Sequence, residues 1–305
     1  MKKRWHFLIV GGVLLIGLIL GSFFDLQINK AIFDRYNGFG LVISSFGMIP
    51  GYGTLAFLSG VLFCIIPKDQ GLPKWVKIII LILAVGMFGI STYFLGKDVF
   101  SINGFYNEKL HPWLGCIIMG VLMVPVFILG FWMGKKNTNP KMWLAILIAA
   151  AVIFVALVPG VTLFKSVMHR PRYRILINEY DYRFYNWWER CKDYKGMIAK
   201  LDKSFKEEFK SFPSGHAAAT MCGMIWFSFL PLIDKRLAKY QTLFFYIGFG
   251  WSLVVMFSRM LVGAHFLSDV CFGALITLVC FYIGNEFIVR FALPKEEEPA
   301  PIAEE

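Results

Sequence analysis

The chain has 305 residues, 57% of them apolar and only 17% charged, against about 45–50% and about 25% in soluble domains; with a mean hydropathy of +0.62 this excludes a soluble enzyme and indicates a polytopic membrane protein. The 31 Phe, 12 Tyr and 9 Trp exclude a disordered chain, and 6 Cys exclude a disulfide scaffold. A net charge of +11 reads here as loop charge that sets orientation and meets lipid headgroups, not as a nucleic-acid footprint.

A spanning helix needs about 20 apolar residues. The sequence predicts eight, near Phe7–Phe24, Leu41–Ile66, Val76–Leu95, Trp113–Met133, Met142–Phe164, His216–Ile233, Leu243–Phe257 and Phe266–Val289. The second is long enough to tilt or to hold a break at Met48-Ile49-Pro50-Gly51. The seventh is short unless it continues through Ser258-Arg259. Lys2, Lys3 and Arg4 precede the first run as in a signal peptide, but the run is too long and no small-residue cleavage site follows it.

With the N-terminus inside, the inner segments hold Lys68, Lys74, Lys77, Lys135, Lys136, Lys141, Lys235, Arg236, Lys239, Arg290 and Lys295. The short outer loops hold only Lys30, Arg35, Lys97 and Lys109. The expected placement is therefore in the cell membrane, multi-pass, with both termini cytoplasmic. Residues 1–293 read as one all-α integral membrane domain, and 294–305 as an acidic, disordered tail. Cys191 is the one outer cysteine, so no intramolecular disulfide is expected.

Three stretches break the membrane pattern. They are Lys165 to Arg174 after span five, Phe212-Pro213-Ser214-Gly215-His216 at the start of span six, and Ser258 to Asp269 between spans seven and eight. On the topology above all three emerge on the same outward face. Lys165, Arg172 and Arg259 are cations near hydrocarbon depth, each costing at least ~2.5 kcal/mol unpaired. A phosphate suits them. Ser214-Gly215-His216 opens a helix whose free amides and dipole make an anion seat.

His265 and Asp269 are four apart. If span eight begins at His265, they share a helical face, and the carboxylate orients the imidazole as a nucleophile. His216 then serves as general acid toward a leaving oxygen. Arg170 and Arg174 read as snorkelling headgroup contacts, and His169 as incidental. No metal or cofactor is expected, since the surrounding cations repel a zinc ion from His216, His265 and Asp269.

These stretches resemble the signature motifs of the type 2 phosphatidic acid phosphatase superfamily, in its integral membrane branch. Pro213–His216 matches the second motif, and Ser258 to Asp269 the third in full. Lys165 and Arg172 match the first, with Tyr173 where the family usually has proline. The resemblance implies a six-helix phosphatase core within the eight spans, no metal, a phosphohistidine on His265 and acid–base work by His216. It also implies phosphate contacts from Lys165, Arg172, Ser214, Gly215, His216 and Arg259.

The outer loop, residues 173–212, carries Tyr180, Tyr182, Phe184, Tyr185, Trp187 and Trp188. A helix-like stretch follows, with Tyr194, Met197, Ile198, Leu201, Phe205 and Phe209 on one face and Lys192, Lys195, Lys200, Lys203, Lys206 and Lys210 on the other. It reads as an interfacial segment over the pocket mouth. The expected activity is hydrolysis of a lipid phosphate or pyrophosphate: phosphatidic acid, phosphatidylglycerophosphate or a polyprenyl pyrophosphate. The alternatives are a lipid phosphotransferase and a non-catalytic anionic-lipid binder or transporter.

Overall fold

Within hydrocarbon, a run of about 20 apolar residues satisfies its backbone only as a helix. The computed structural model describes residues 4–101, 112–177, 182–199 and 203–294. Among them all regular structure is helical, and eight helical segments are long and apolar enough to cross a membrane. The all-α polytopic bundle is as the sequence predicts. The tail from residue 295 onward, with Lys2, Lys3, Lys109, Tyr180, Lys200 and Leu201, lies outside the described residues.

The first span, α1 (Trp5–Ile32), runs well past its predicted end at Phe24. Its last two turns carry Asp25 and Asn29, both buried. The second span divides into α2 (Gly38–Phe46) and α3 (Ile49–Ile65) at the near edge of the predicted break. Pro50 falls in the first turn of α3, where its missing N–H costs nothing. Spans three and four are α4 (Lys74–Ser101) and α5 (Pro112–Gly134).

The fifth span is α6 (Met142–Val155), then a wide π turn, Ala156–Val161, around Pro159, then α7 (Thr162–Met168). Proline removes one amide and crowds the preceding turn, a usual cause of such a bulge. A single turn, α8 (Tyr173–Leu176), and a short helix, α9 (Tyr194–Ala199), follow. The sixth span is α10 (Gly215–Met221) and α11 (Gly223–Ile233). The seventh, α12 (Gln241–Leu261), does continue through Ser258-Arg259. The eighth is α13 (Leu267–Phe287).

Helix α1 lies along α13, and α10 packs on α12 and α13; α3 packs against α4, α5 and α11. The outer faces of α1, α4 and α5 expose Leu8, Ile16, Phe23, Ile82, Val85, Ile117 and Val121, as helices bathed in lipid do. Ion pairs Arg4–Glu286 at 2.6 Å and Lys136–Asp234 at 3.0 Å tie helix ends together on the side away from the three motif stretches.

The single amphipathic helix expected over the outer loop is not what forms among the described residues. Helix α9 is short, and Lys203–Phe209 is a 3-10 turn. Phe209 is fully buried instead of lying on a surface face, and Tyr194 stacks on His169 with ring centroids 3.5 Å apart. Hydrogen bonds from Arg174 to Glu208 and from Ser211 to Asp269 draw the loop back into the protein, and a straight helix cannot satisfy them.

Candidate active site

Each motif stretch is held by backbone bonds to another. Helix α7, which carries Lys165, ends at His169 in the left-handed region, φ 49°. The irregular chain that follows is laced on both sides. Arg172 N donates to the Glu208 carbonyl (2.8 Å), Ser211 N to the Arg170 carbonyl (2.9 Å) and Arg174 N to the Gly263 carbonyl (3.1 Å). Gly263, at φ +65°, lets the chain turn sharply between α12 and α13. Ala264 N and His265 N both return to the Arg259 carbonyl.

Ser214 caps α10, its hydroxyl accepting from Ala217 N. Its own N–H donates to the Asp269 carbonyl at 3.0 Å. The approach is so close that a Cβ on Gly273 would stand 2.3 Å from the Ser214 carbonyl oxygen.

The result is one cluster. The imidazoles of His216 and His265 have centroids 6.5 Å apart. A Cβ on Gly215 would stand 3.5 Å from Lys165 Nζ. Arg172 and Arg259 lie near enough to His265 to couple with it electrostatically. Every residue the sequence nominated is therefore in the same place: Lys165, Arg172, Ser214, Gly215, His216, Arg259, His265 and Asp269. His216 Nε2 and Arg172 Nε are buried with no hydrogen-bond partner among the described residues. Buried polar atoms are nearly always satisfied, and these two lie in a cluster that also holds Lys165 and Arg259.

His265 Nδ1 lies 2.7 Å from the Ser211 carbonyl oxygen. A carbonyl only accepts, so Nδ1 carries the proton and Nε2 keeps its lone pair. The Asp269 carboxylate is farther away, at 3.8 Å from Nδ1. The pair expected from the four-residue spacing is an ion-pair contact and not a short hydrogen bond, because α13 begins at Leu267 and His265 precedes it. Asp269 instead accepts from Arg170 Nη1 (2.5 Å), Ser211 Oγ (2.5 Å) and Phe266 N (2.9 Å). Burial pushes the His265 imidazole down to about 3 against the pull of Asp269, with Arg259 and Arg172 adding to the drop.

Arg170 and Arg174 are not snorkelling side chains. Arg170 is 1% exposed. It bonds Asp25 Oδ2 (2.9 Å), Ser268 Oγ (2.8 Å) and the Tyr185 carbonyl (2.7 Å) besides Asp269. Its guanidinium also lies 4.3 Å from the Phe266 ring centroid. Arg174 grips Glu208 through Nε (2.7 Å) and Nη2, and Arg172 Nη1 is 3.6 Å from the same carboxylate. Burial would raise the Glu208 carboxyl, but the two arginines outweigh it and hold it below the usual value. The sequence reading passed over Asp25, Asn29, Ser211, Ser268 and Glu208. The available signal was Asp25, an acid directly at the end of the first apolar run.

Residues 140–291 match the family model of the PAP2 superfamily. The chain belongs to the PAP2 superfamily. It is a phosphatase, acting on phosphate esters. The matched residues run from α6 through α13 and include all three motif stretches; α1 to α5 lie outside them. No curated protein and no solved structure matches the chain.

Proposed function

We propose that this PAP2 phosphatase hydrolyses a lipid phosphate or diphosphate at the outer membrane face through a phosphohistidine on His265. Nε2 of His265 attacks phosphorus, and the phosphorus–oxygen bond to the alcohol or phosphate leaving group breaks. His216 delivers a proton to the departing oxygen. Water then attacks the phosphohistidine, His216 takes its proton, and the nitrogen–phosphorus bond breaks to release phosphate. Lys165, Arg172, Arg259, the Ser214 hydroxyl and the amide of Gly215 stabilise the charge on the transferring group. Asp269 and the Ser211 carbonyl hold His265 in the tautomer that frees Nε2 and support its positive charge once phosphorylated.

The observation that carries this reading is the tautomer: with Nδ1 tied to Ser211 at 2.7 Å, the free lone pair belongs to the nitrogen that is left for phosphorus. A lipid substrate is favoured by the flank of the site. Phe164, partly exposed beside Lys165, begins an aromatic wall with Phe272 (5.2 Å between centroids), Phe212 and Trp187. Such a wall suits an acyl or prenyl chain entering from the membrane side. The outward orientation rests on the lysine and arginine bias of the short loops.

The test is phosphate release by the purified protein across lipid and soluble phosphates, with His265→Ala as control. Turnover of lipid phosphates that His265→Ala abolishes supports the proposal. Turnover of soluble phosphates alone defeats the lipid assignment. Product found on an acceptor other than water makes the protein a phosphotransferase.

A further inference from the structure

Helix α1 lies outside the residues that match the superfamily, yet it reaches the site. Gly21 lets it approach so closely that a Cβ there would stand 2.6 Å from the Ser268 N atom. One turn on, Asp25 is buried against the start of α13. Its Oδ1 accepts from Ser268 N at 3.0 Å, and its Oδ2 from Ser268 Oγ and from Arg170 Nη2 at 2.9 Å. A further turn on, Asn29 Nδ2 donates to the carbonyl of His265 itself at 3.1 Å.

We infer that Asp25 is a positioning residue for the reaction, holding Asp269, and through it His265, by way of Arg170 and Ser268. The inference rests on the role proposed for His265. Arg170 is the hinge of the arrangement, because its Nη1 bonds Asp269 Oδ1 at 2.5 Å while its Nη2 bonds Asp25. Two carboxylates therefore share one guanidinium in a cluster closed to water: Asp25 is 2% exposed, Arg170 1% and Asp269 0%.

The sharing has a chemical consequence. When Nε2 of His265 bonds to phosphorus, positive charge appears on the imidazole and needs a nearby negative charge. A lone Asp269–Arg170 pair offers little net charge to that ring. Asp25 holds Nη2 of the guanidinium while Nη1 stays on Asp269, so the Asp269 carboxylate is kept beside the ring. It also fixes the rotamer of Arg170 and seats the first turn of α13, where Asp269 sits. The bonds of Asp25 run to Arg170 and Ser268, not to the cations around the phosphate. Its loss therefore falls on the chemical step and not on substrate binding.

The experiment uses the full chain in lipid nanodiscs, with kcat, KM, the inhibition constant of vanadate and the thermal midpoint measured for each variant. Asp25→Asn keeps the shape and removes the charge. It is expected to lower kcat between about tenfold and about a hundredfold, with KM and the vanadate constant within about threefold of the parent. A side chain that merely holds the fold together would not move kcat alone in this way. Ser268→Ala removes one bridge and keeps the Ser268 N–H bond to Asp25. It is expected to lower kcat several-fold, again at constant KM.

A folded Asp25→Asn protein with kcat within twofold of the parent overturns the inference. So does a loss carried by KM and vanadate binding. Should Asp25→Asn fail to fold, Ser268→Ala decides, and an unchanged kcat there overturns the inference. The His265→Ala control separates the two levels. Turnover by His265→Ala defeats the phosphohistidine reading, whereas an inactive His265→Ala beside a fully active Asp25→Asn defeats only the role of Asp25.

Discussion

Ser211 and His265 are joined by a 2.7 Å hydrogen bond from imidazole Nδ1 to the serine carbonyl, and the hydroxyl of the same serine reaches Asp269 at 2.5 Å. One residue of the loop 173–212 thus touches both members of the proposed nucleophile pair. The loop is therefore part of the site and not only a cover over it.

Ser211→Ala keeps the carbonyl and removes the hydroxyl, leaving Asp269 with Arg170 and Phe266 N as donors. Loss of a hydrogen bond to a charged group costs ~1.5–3 kcal/mol. The variant is expected to bind vanadate as the parent does, to unfold at lower temperature, and to lose several-fold in kcat. Calorimetry and steady-state kinetics on the same preparation check this, and an unchanged kcat would remove Ser211 from the account.

If His216 protonates the leaving oxygen, its importance depends on the leaving group. His216→Ala should cost an alkyl phosphate about 10²–10⁴-fold in kcat. In kcat/KM, which reports formation of the phosphoenzyme, it should cost p-nitrophenyl phosphate far less, because nitrophenolate departs without a proton. Formation of the phosphoenzyme from the aryl ester should survive while its hydrolysis slows. Equal losses of kcat/KM on both esters would argue that His216 binds phosphate without transferring a proton.

The depressed value of His265, about 3 against the ordinary 6.5, has a direction in stability. Above pH 6.5 both folded and unfolded chains carry it neutral, and it contributes nothing. Below 6.5 the unfolded chain takes up a proton that the folded site refuses, so the parent loses stability as pH falls. His265→Asn keeps a donor toward Ser211 and removes the titration. Thermal midpoints of parent and variant should run parallel above pH 6.5 and diverge below it, with the parent falling faster. Parallel curves down to about pH 5 would mean that the imidazole is protonated in the fold.

Glu208 has the opposite sign. Its carboxyl lies below the ordinary 4.5 because Arg172 and Arg174 outweigh the effect of burial. It therefore stabilises the fold above pH 4.5, and that stability drains away as pH falls through its depressed value. Glu208→Gln should cost ~1–3 kcal/mol at neutral pH, and the gap to the parent should close on acidification. Midpoints measured across the acid range test this.

Much of the molecule was legible beforehand. All eight spans are where apolar run length put them, including the break before Pro50 and the passage of α12 through Ser258-Arg259. The gathering of Lys165, His216 and His265 followed from counting which ends share a face. What was hidden depended on long-range partners or on where a helix begins. Arg170 looked like a headgroup contact because its acids are 145 and 99 positions away along the chain. Asp25 and Asn29 were lost because the apolar run stops at Phe24 while the helix does not. The His265–Asp269 spacing implied a shared helical turn, and the helix starts two residues too late for one. The basic and apolar alternation after Tyr194 looked like one helix, but the bonds from Arg172, Arg174 and Asp269 to Glu208 and Ser211 fold that stretch inward.

The proposed mechanism stands or falls on a covalent bond between phosphorus and His265. Rapid acid-free quenching of the protein with a ³²P-labelled lipid phosphate, followed by peptide mapping, tests it most directly. Label that is stable in base, labile in acid and confined to the peptide containing His265 is the expected result. Continued turnover with no label there, or with label on a different residue, would contradict it.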